Sequence, residues 1–238
     1  MKILIYSVVT TERHYNEYIK YLKIIKNVEY LLFSSVNVQK NIDNVRVINV
    51  DVDDGKNLRE LSRVYKMNAH KYIDLAKYDY YIYHDSNVII NEELLTSLYD
   101  IDKDIALYQH NRRKYIISEI LYCFYVSKIS AADVFRILFK IKGNVFLSSL
   151  VHGCVIIRRA CNKGSKEFSE LWLENYEYIN VDRDQISLAV TVHKLNSYIY
   201  IYDSSPHGSK AVEIISHDKV VYKKNLNISK LTSLYKRS

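Results

Sequence analysis

Lys77-Tyr78-Asp79-Tyr80-Tyr81-Ile82-Tyr83-His84-Asp85-Ser86-Asn87-Val88-Ile89-Ile90 is the stretch on which the reading of this chain turns. Its aromatic and β-branched run is that of a buried strand, and the run ends on an acid, a small residue and an amide. Hard divalent cations take oxygen ligands, and two oxygen-bearing side chains one residue apart, on a turn leaving a buried strand, can converge on one ion. Asp85 and Asn87 are therefore candidate metal ligands. All three residues of Asp85-Ser86-Asn87 also favour turns through side-chain-to-backbone hydrogen bonds, so an ordinary turn explains the tripeptide equally well. The neighbouring segments have to decide.

The segment leading into this strand, 57–77, places Leu58, Leu61, Tyr65, Ala69, Tyr72 and Ala76 on one helical face. Arg59, Arg63, Lys66 and His70 share another. Such a basic stripe is ordinarily a solvated face, but its direct run into the strand ending at Asp85 gives it a second reading as a phosphate site. Further upstream, 2–9 is a continuous β-favouring run, as for a strand buried on both faces of a parallel sheet. Tyr15, Tyr18, Ile19, Leu22 and Ile25 follow at helical spacing, and 30–33 and 45–50 read as strands, an α/β opening. Ser34 and Ser35 read as polar loop. Asp51-Val52-Asp53-Asp54-Gly55 reads as turn and cap chemistry rather than as metal ligands.

Downstream, Asn91 is read as the cap of a helix through Leu94 and Leu98, and 104–110 as a strand followed by the basic cluster Arg112, Arg113 and Lys114. Glu119 reads as a structural ion-pair partner for Arg112 or Arg113, with a substrate contact as its other reading. Two helical patterns between 118 and 146 are expected to cover the acceptor side of a site, since insertions between strands commonly build walls and lids. In the strand 151–159, Gly153 permits close approach of another group and His152 is by default a buried, hydrogen-bonded histidine. Phe168, Leu171, Trp172 and Tyr176 form an amphipathic core helix. Val181-Asp182-Arg183-Asp184-Gln185 reads as a capped helix start, although capping does not require Arg, Asp and Gln together. After a strand at 197–202 comes Asp203-Ser204-Ser205-Pro206-His207-Gly208-Ser209-Lys210, either a plain surface loop or a source of an imidazole for a metal and an ammonium for a diphosphate.

Composition narrows the function classes. At 238 residues and 48% hydrophobic the chain can bury a large core, which excludes a disordered protein. Thirty-four basic against 27 acidic residues leave a formal +7, which favours an anionic partner: phosphates, a membrane surface or nucleic acid. The 23 tyrosines accompany a single Pro and five Gly and read as compositional background rather than as a base-stacking platform, so nucleic acid is not expected as a partner. Cys123, Cys154 and Cys161 match no zinc or redox spacing, and free thiols imply a reducing, cytoplasmic setting. No stretch approaches the ~20 apolar residues of a membrane span, so the expectation is a soluble or membrane-peripheral protein. The lysine-bearing tail 216–238 reads as a solvated basic helix, with peripheral membrane contact as its other reading. No linker divides the chain, giving one domain over 1–215 with a helical insertion at about 112–146 and the tail beyond.

Taken in order, Arg63-x-x-Lys66-x-x-x-His70, Tyr83-x-Asp85-x-Asn87, Arg158 and Arg183-Asp184-Gln185 resemble a family of A-type (GT-A) glycosyltransferases of large DNA viruses, bacteria and plants. The resemblance spans roughly 2–210. It implies a Rossmann-like, mostly parallel sheet flanked by helices and a nucleoside-diphosphate sugar donor, a UDP-sugar first among them, with a glycan or glycoprotein acceptor. His207-Gly208-Ser209-Lys210 is similar to the His-Gly-Lys region that finishes the metal and diphosphate site in such enzymes. On that basis Asp85, Asn87 and His207 would hold Mn²⁺ or Mg²⁺. Arg63, Lys66, His70, Arg158 and Lys210 would face the donor, and Asp184 and Gln185 the sugar. Two departures stand out: Asn87 replaces a second acid, removing one negative charge, and Tyr83 stands where relatives often carry Trp. The rival expectations are a nucleotidyltransferase on the same sheet and a non-catalytic basic module that binds nucleic acid or an anionic membrane.

Overall fold

A computed structural model describes residues 1–36, 42–51 and 57–215. Most of the acidic turn at 51–55 and the basic tail 216–238 lie outside the described residues. The chain begins β1 (Ile3–Val9), α1 (Glu12–Tyr21), β2 (Val28–Ser34), β3 (Val45–Asn49) and α2 (Leu58–Asn68). It continues with β4 (Tyr80–His84), β5 (Val88–Ile90), α3 (Glu92–Ser97), β6 (Ile105–Gln109), α4 (Ile116–Tyr125) and α5 (Ala131–Lys140). Then come β7 (Val151–Arg159), α6 (Lys163–Ile179), α7 (Asp184–Lys194), β8 (Ile199–Tyr202) and β9 (Val212–Ile214).

Seven strands form one sheet in the order β3-β2-β1-β4-β7-β6-β8, with β7 alone running against its neighbours, while β5 and β9 pair in a small separate ladder. The expected fold class, a Rossmann-like, mostly parallel sheet flanked by helices in one domain, is the one observed. Every residue of β1 is buried, as its uninterrupted apolar run requires of a strand covered on both faces. Leu4, Tyr6 and Val8 point into one core with α2, α6 and α7, and Ile3 and Ile5 into another beneath α3. A third core joins α4 and α5 to α7 through Ile116, Ile120, Ile137, Ile186 and Ala189. The helical insertion is thus an outgrowth held by its own apolar contacts.

Between β1 and β4 the winding of the sheet reverses: the chain leaves β1 toward β2 and β3 on one side and returns to β4 on the other. In open α/β sheets such a reversal leaves a crevice outside the carboxyl ends of the strands, where ligands bind. Local capping sets the elements that border it. The Thr11 hydroxyl accepts from the His14 backbone N–H at 3.3 Å to start α1, and Asn57 accepts from the Arg59 N–H at 3.0 Å to start α2. Asn91 occupies the position before α3 without a side-chain cap. Its amide instead accepts from Lys23 Nζ at 2.9 Å and donates to the Lys210 carbonyl at 3.0 Å, tying α3 to the loop before β9.

Candidate functional site

At the carboxyl ends of β1 and β4 lies a cleft of about 310 Å³, walled by α2, the turn after β4 and the start of α7. The turn is the one expected: the Val88 N–H bonds the Asp85 carbonyl at 3.0 Å. It also lines the cleft with Asp85, Ser86 and Asn87. The Asn87 amide nitrogen donates to the Ile215 carbonyl at 2.8 Å, and its oxygen remains for another partner.

Lys66 is the hub. Its ammonium lies 3.0 Å from Asp184 Oδ2 and 3.7 Å from Asp85 Oδ1, above the rings of Tyr83 at 4.9 Å and Trp172 at 5.8 Å. Burial alone would lower the Lys66 pKa, but Asp184 and Asp85 outweigh it and raise it, so the side chain stays charged. Burial alone would likewise raise the Asp184 carboxyl, yet Lys66, Arg63 and Arg183 hold it well below the usual carboxylate range. Tyr83 donates its hydroxyl to Asp85 Oδ1 at 2.6 Å and is pushed far up by burial and by Asp85. Gly153 explains how the hub fits. A Cβ there would come within 3.3 Å of Leu188 Cδ2 and 3.4 Å of Lys66 Nζ, so the missing side chain eases the passage of β7 beside the ammonium.

The basic stripe of α2 is only in part the solvated face that its spacing first suggests, since Arg59 is exposed. Arg63 and Lys66 are buried, and both Arg59 and Arg63 hold the Asp182 carboxylate. Arg63 also donates to the Tyr176 hydroxyl at 2.7 Å. The carboxylates of the Asp182-Arg183-Asp184 run do not cap α7, which begins without a side-chain cap bond. Asp182 and Asp184 meet cations of α2 instead. Sequence separation hides this, because Lys66 and Asp184 stand 118 positions apart.

Arg183, which also lines the cleft, is aimed by Glu119. The guanidinium donates to Glu119 Oε1 from Nε at 3.1 Å and from Nη2 at 2.9 Å, while Arg113 pairs with the other carboxylate oxygen. The expected partnership of Glu119 with Arg113 therefore holds and gains a second arginine. Glu119 is wholly buried; burial would raise its carboxyl, but Arg183, Cys123 and Arg113 lower it. Glu119→Gln is expected to cost about 3 kcal/mol, because it leaves two arginines facing a neutral amide in the interior. Urea unfolding of the variant checks this, and a change below about 1 kcal/mol would contradict it.

Several residues assigned to the site from sequence do not line this cleft. Arg158 is fully buried under the sheet, donating to the Tyr6 hydroxyl at 2.8 Å and the Lys66 carbonyl at 3.3 Å, with no surface for a donor to touch. It braces the helix that carries Lys66. His70 lies beside it, 3.9 Å from Glu170, and burial together with the Arg158 charge lowers its pKa to about 4. Gln185 is spent at both ends, accepting from Arg183 at 2.9 Å and donating to the Val151 carbonyl at 3.0 Å. His207 and Lys210 are exposed on the loop after β8 and are not part of the cleft wall. The His207 ring meets His152 edge-on at 5.9 Å, and His152 stacks on His110 at 4.3 Å instead of lying buried and hydrogen-bonded. Val8, His14, Arg59 and Ser62 line the cleft and were not singled out as site residues. The end of the first strand and the Arg59 member of the stripe were the signals available for them.

Among the described residues, no three His, Cys, Asp or Glu side chains are grouped to hold a metal ion. The oxygens of Asp85 and Asn87 nonetheless suit Mg²⁺ or Mn²⁺ bound together with substrate phosphates, since Mg²⁺ characteristically takes one or two protein oxygens and completes its shell with phosphate and water. A second depression of about 410 Å³ lies by the Arg112-Arg113-Lys114 cluster and Asp203.

No family model and no curated protein matches the chain. Solved structures similar to it include mouse xyloside xylosyltransferase 1 in its apo form, with a TM-score of 0.49 and 8% identity over 85% of this chain and 86% of that one. Another is the galactosyltransferase LgtC in complex with donor and acceptor sugar analogs, with a TM-score of 0.48 and 11% identity over 98% of this chain and 95% of that one. The likeness to both is one of overall architecture.

Proposed function

We propose that the chain is a metal-dependent glycosyltransferase that moves a sugar from a nucleoside-diphosphate sugar, a UDP-sugar, to a hydroxyl of a glycan or glycoprotein. One observation carries this reading: Asp85, Asn87, Lys66 and Asp184 converge in a single cleft where the winding of the sheet reverses. Glycosyl transfer builds positive charge at the anomeric carbon and negative charge on the departing diphosphate, so the site must present both signs at close quarters. Lys66, Arg63 and Arg183 supply the cations and Asp184 the anion.

In this reading Asp85 and Asn87 hold Mn²⁺ or Mg²⁺, with His207 as third ligand on the strength of its loop pattern alone. The bound ion supplies Lewis-acid stabilisation of the leaving diphosphate. Lys66 and Arg59 face the phosphates from α2, and Lys210 is retained for the diphosphate on the same pattern as His207. Tyr83 fixes one Asp85 oxygen and orients the carboxylate. A carboxyl held as far down as that of Asp184 is a weak base, so hydrogen bonding to sugar hydroxyls and stabilisation of the cationic centre suit it better than proton abstraction. A purely anion-binding module would have no use for carboxylates beside its lysine, since they repel phosphate unless a metal intervenes.

Thermal unfolding with a panel of nucleotide-sugars and nucleoside triphosphates, with and without Mn²⁺, tests the proposal. A UDP-sugar at a hundredfold its Kd is expected to raise Tm by roughly 5 to 10 °C, and only with the metal present. Asp85→Ala and His207→Ala are expected to remove that increment while the unliganded proteins keep cooperative unfolding. A full increment in either variant removes that residue from the metal site. Stabilisation by triphosphates alone would mark a nucleotidyltransferase, and none by any nucleotide would end the proposal.

A further inference from the structure

The helical insertion carries apolar side chains on its outside as well as its inside. Helix α4 buries Ile116, Ile120 and Cys123 against α7, yet Leu121, Phe124 and Tyr125 face outward, Tyr125 being 72% exposed. Helix α5 repeats the arrangement: Ile137 is buried, while Phe135 and Phe139 are 72% and 83% exposed, with Leu138 beside them. In each helix the outward residues stand at i, i+3 and i+4, one continuous stripe. Leu147 follows, also exposed. A helix that is apolar on both sides belongs in a core or against an apolar phase, and a contiguous apolar patch on a water-soluble surface marks a contact site.

The charge around these stripes selects the occupant. From Arg112 to Leu147 the chain has seven basic residues (Arg112, Arg113, Lys114, Lys128, Arg136, Lys140 and Lys142) against two acids, a surplus of five out of the formal +7. Both acids are held in ion pairs, Glu119 with Arg113 and Arg183 and Asp133 with Arg136, and the cations of the segment outside those pairs are Arg112, Lys114, Lys128, Lys142 and Lys140, the last donating to the Tyr178 carbonyl. The outer surface is thus aromatic and cationic. A second copy of the chain would set two such cationic segments against each other. Nucleic acid would satisfy the lysines and leave the phenylalanines in water. An anionic lipid surface accepts both, with headgroups for the ammonium groups and the acyl boundary for the rings. None of the described helices is long and apolar enough to cross a bilayer, and α4 and α5 have ten residues each, the dimensions of a surface contact rather than a span.

We infer that the outer faces of α4 and α5 dock this protein on an anionic membrane surface, with Phe124, Tyr125, Phe135, Leu138 and Phe139 entering the interfacial layer and the flanking lysines meeting lipid phosphates. This inference is independent of the glycosyltransferase reading, and its test involves no nucleotide. The full chain is floated with vesicles of phosphatidylcholine alone and with vesicles containing about a quarter phosphatidylglycerol. Binding is expected only to the anionic vesicles and is expected to weaken as salt rises from about 0.1 M to about 1 M. Phe135→Ser/Phe139→Ser and, separately, Tyr125→Ser are each expected to reduce binding, the double variant at least about tenfold, while Tm stays unchanged, because these rings already stand in solvent. Wild-type flotation by both variants would place membrane contact elsewhere in the chain, and no flotation of the wild type would end the inference. A wild-type dimer that both variants disperse, seen by light scattering, would assign the surface to a second copy instead.

Discussion

Lys66→Met is expected to abolish the proposed sugar transfer and to destabilise the protein by about 3 to 5 kcal/mol near neutral pH, because it removes a buried cation from between two carboxylates. Lys66 and Asp184 are both largely buried and 3.0 Å apart, and Asp85 lies 3.7 Å from the same ammonium. Methionine keeps the volume over Tyr83 and Trp172, so the loss is electrostatic rather than a packing defect. Its pH dependence identifies it. In the wild type the Asp184 carboxyl is depressed, so its contribution is full above the unfolded carboxylate pKa and disappears as pH falls through the folded value. Without Lys66, burial is opposed by Arg63 and Arg183 alone, so the carboxyl rises from its wild-type value and protonation relieves the variant at a higher pH. The stability gap between the two proteins is therefore expected to be widest near pH 7 and to shrink as pH falls toward about 4. Urea unfolding at several pH values measures it, and a gap that does not change with pH would show that Lys66 is held by packing instead.

Asp184→Asn is expected to lower kcat by roughly 10²- to 10³-fold while nucleotide affinity changes little, the magnitude typical of removing one preorganised charge from a developing transition-state charge. Asparagine preserves the shape and the hydrogen-bonding reach but removes the anion that three cations keep ionised. Asp85 remains beside Lys66, so the ammonium is not left wholly unpaired. Calorimetric titration with the nucleoside diphosphate and turnover at saturating donor separate the two parameters. Lost nucleotide affinity with normal turnover would move Asp184 from the sugar to the phosphates.

The stabilities involved also explain why α2 is a poor site for conservative change. The cationic stripe of α2 and the turn after it is divided among different tasks: Arg59 and Arg63 on Asp182, Lys66 on Asp184 and Asp85, and His70, just beyond the helix, against Arg158 and Glu170. A lysine in place of Arg63 would retain charge and lose the fork that meets Asp182 and Tyr176 at once.

Local pattern alone was sufficient for the α/β class, the buried first strand, the strand ending at Asp85 and the two helices of the insertion, because periodicity and burial of apolar runs are properties of consecutive residues. It also offered Asp85 and Asn87 as candidate ligands, and the family resemblance added Lys66 and Asp184 as candidates. Tertiary structure decided which of those meet. Arg158 and His70 have the same residue types and spacing as cleft cations, yet the sheet and α6 enclose them. Asp182 and Asp184 look like helix caps until α2 brings arginines and a lysine to them, and Gln185 looks free until Arg183 and the Val151 carbonyl claim both its ends. The outward apolar faces of α4 and α5 carry the same helical spacing as core faces, and only their exposure among the described residues marks them as surface. Contacts between residues more than a hundred positions apart depend on how the whole chain closes, which no local periodicity encodes.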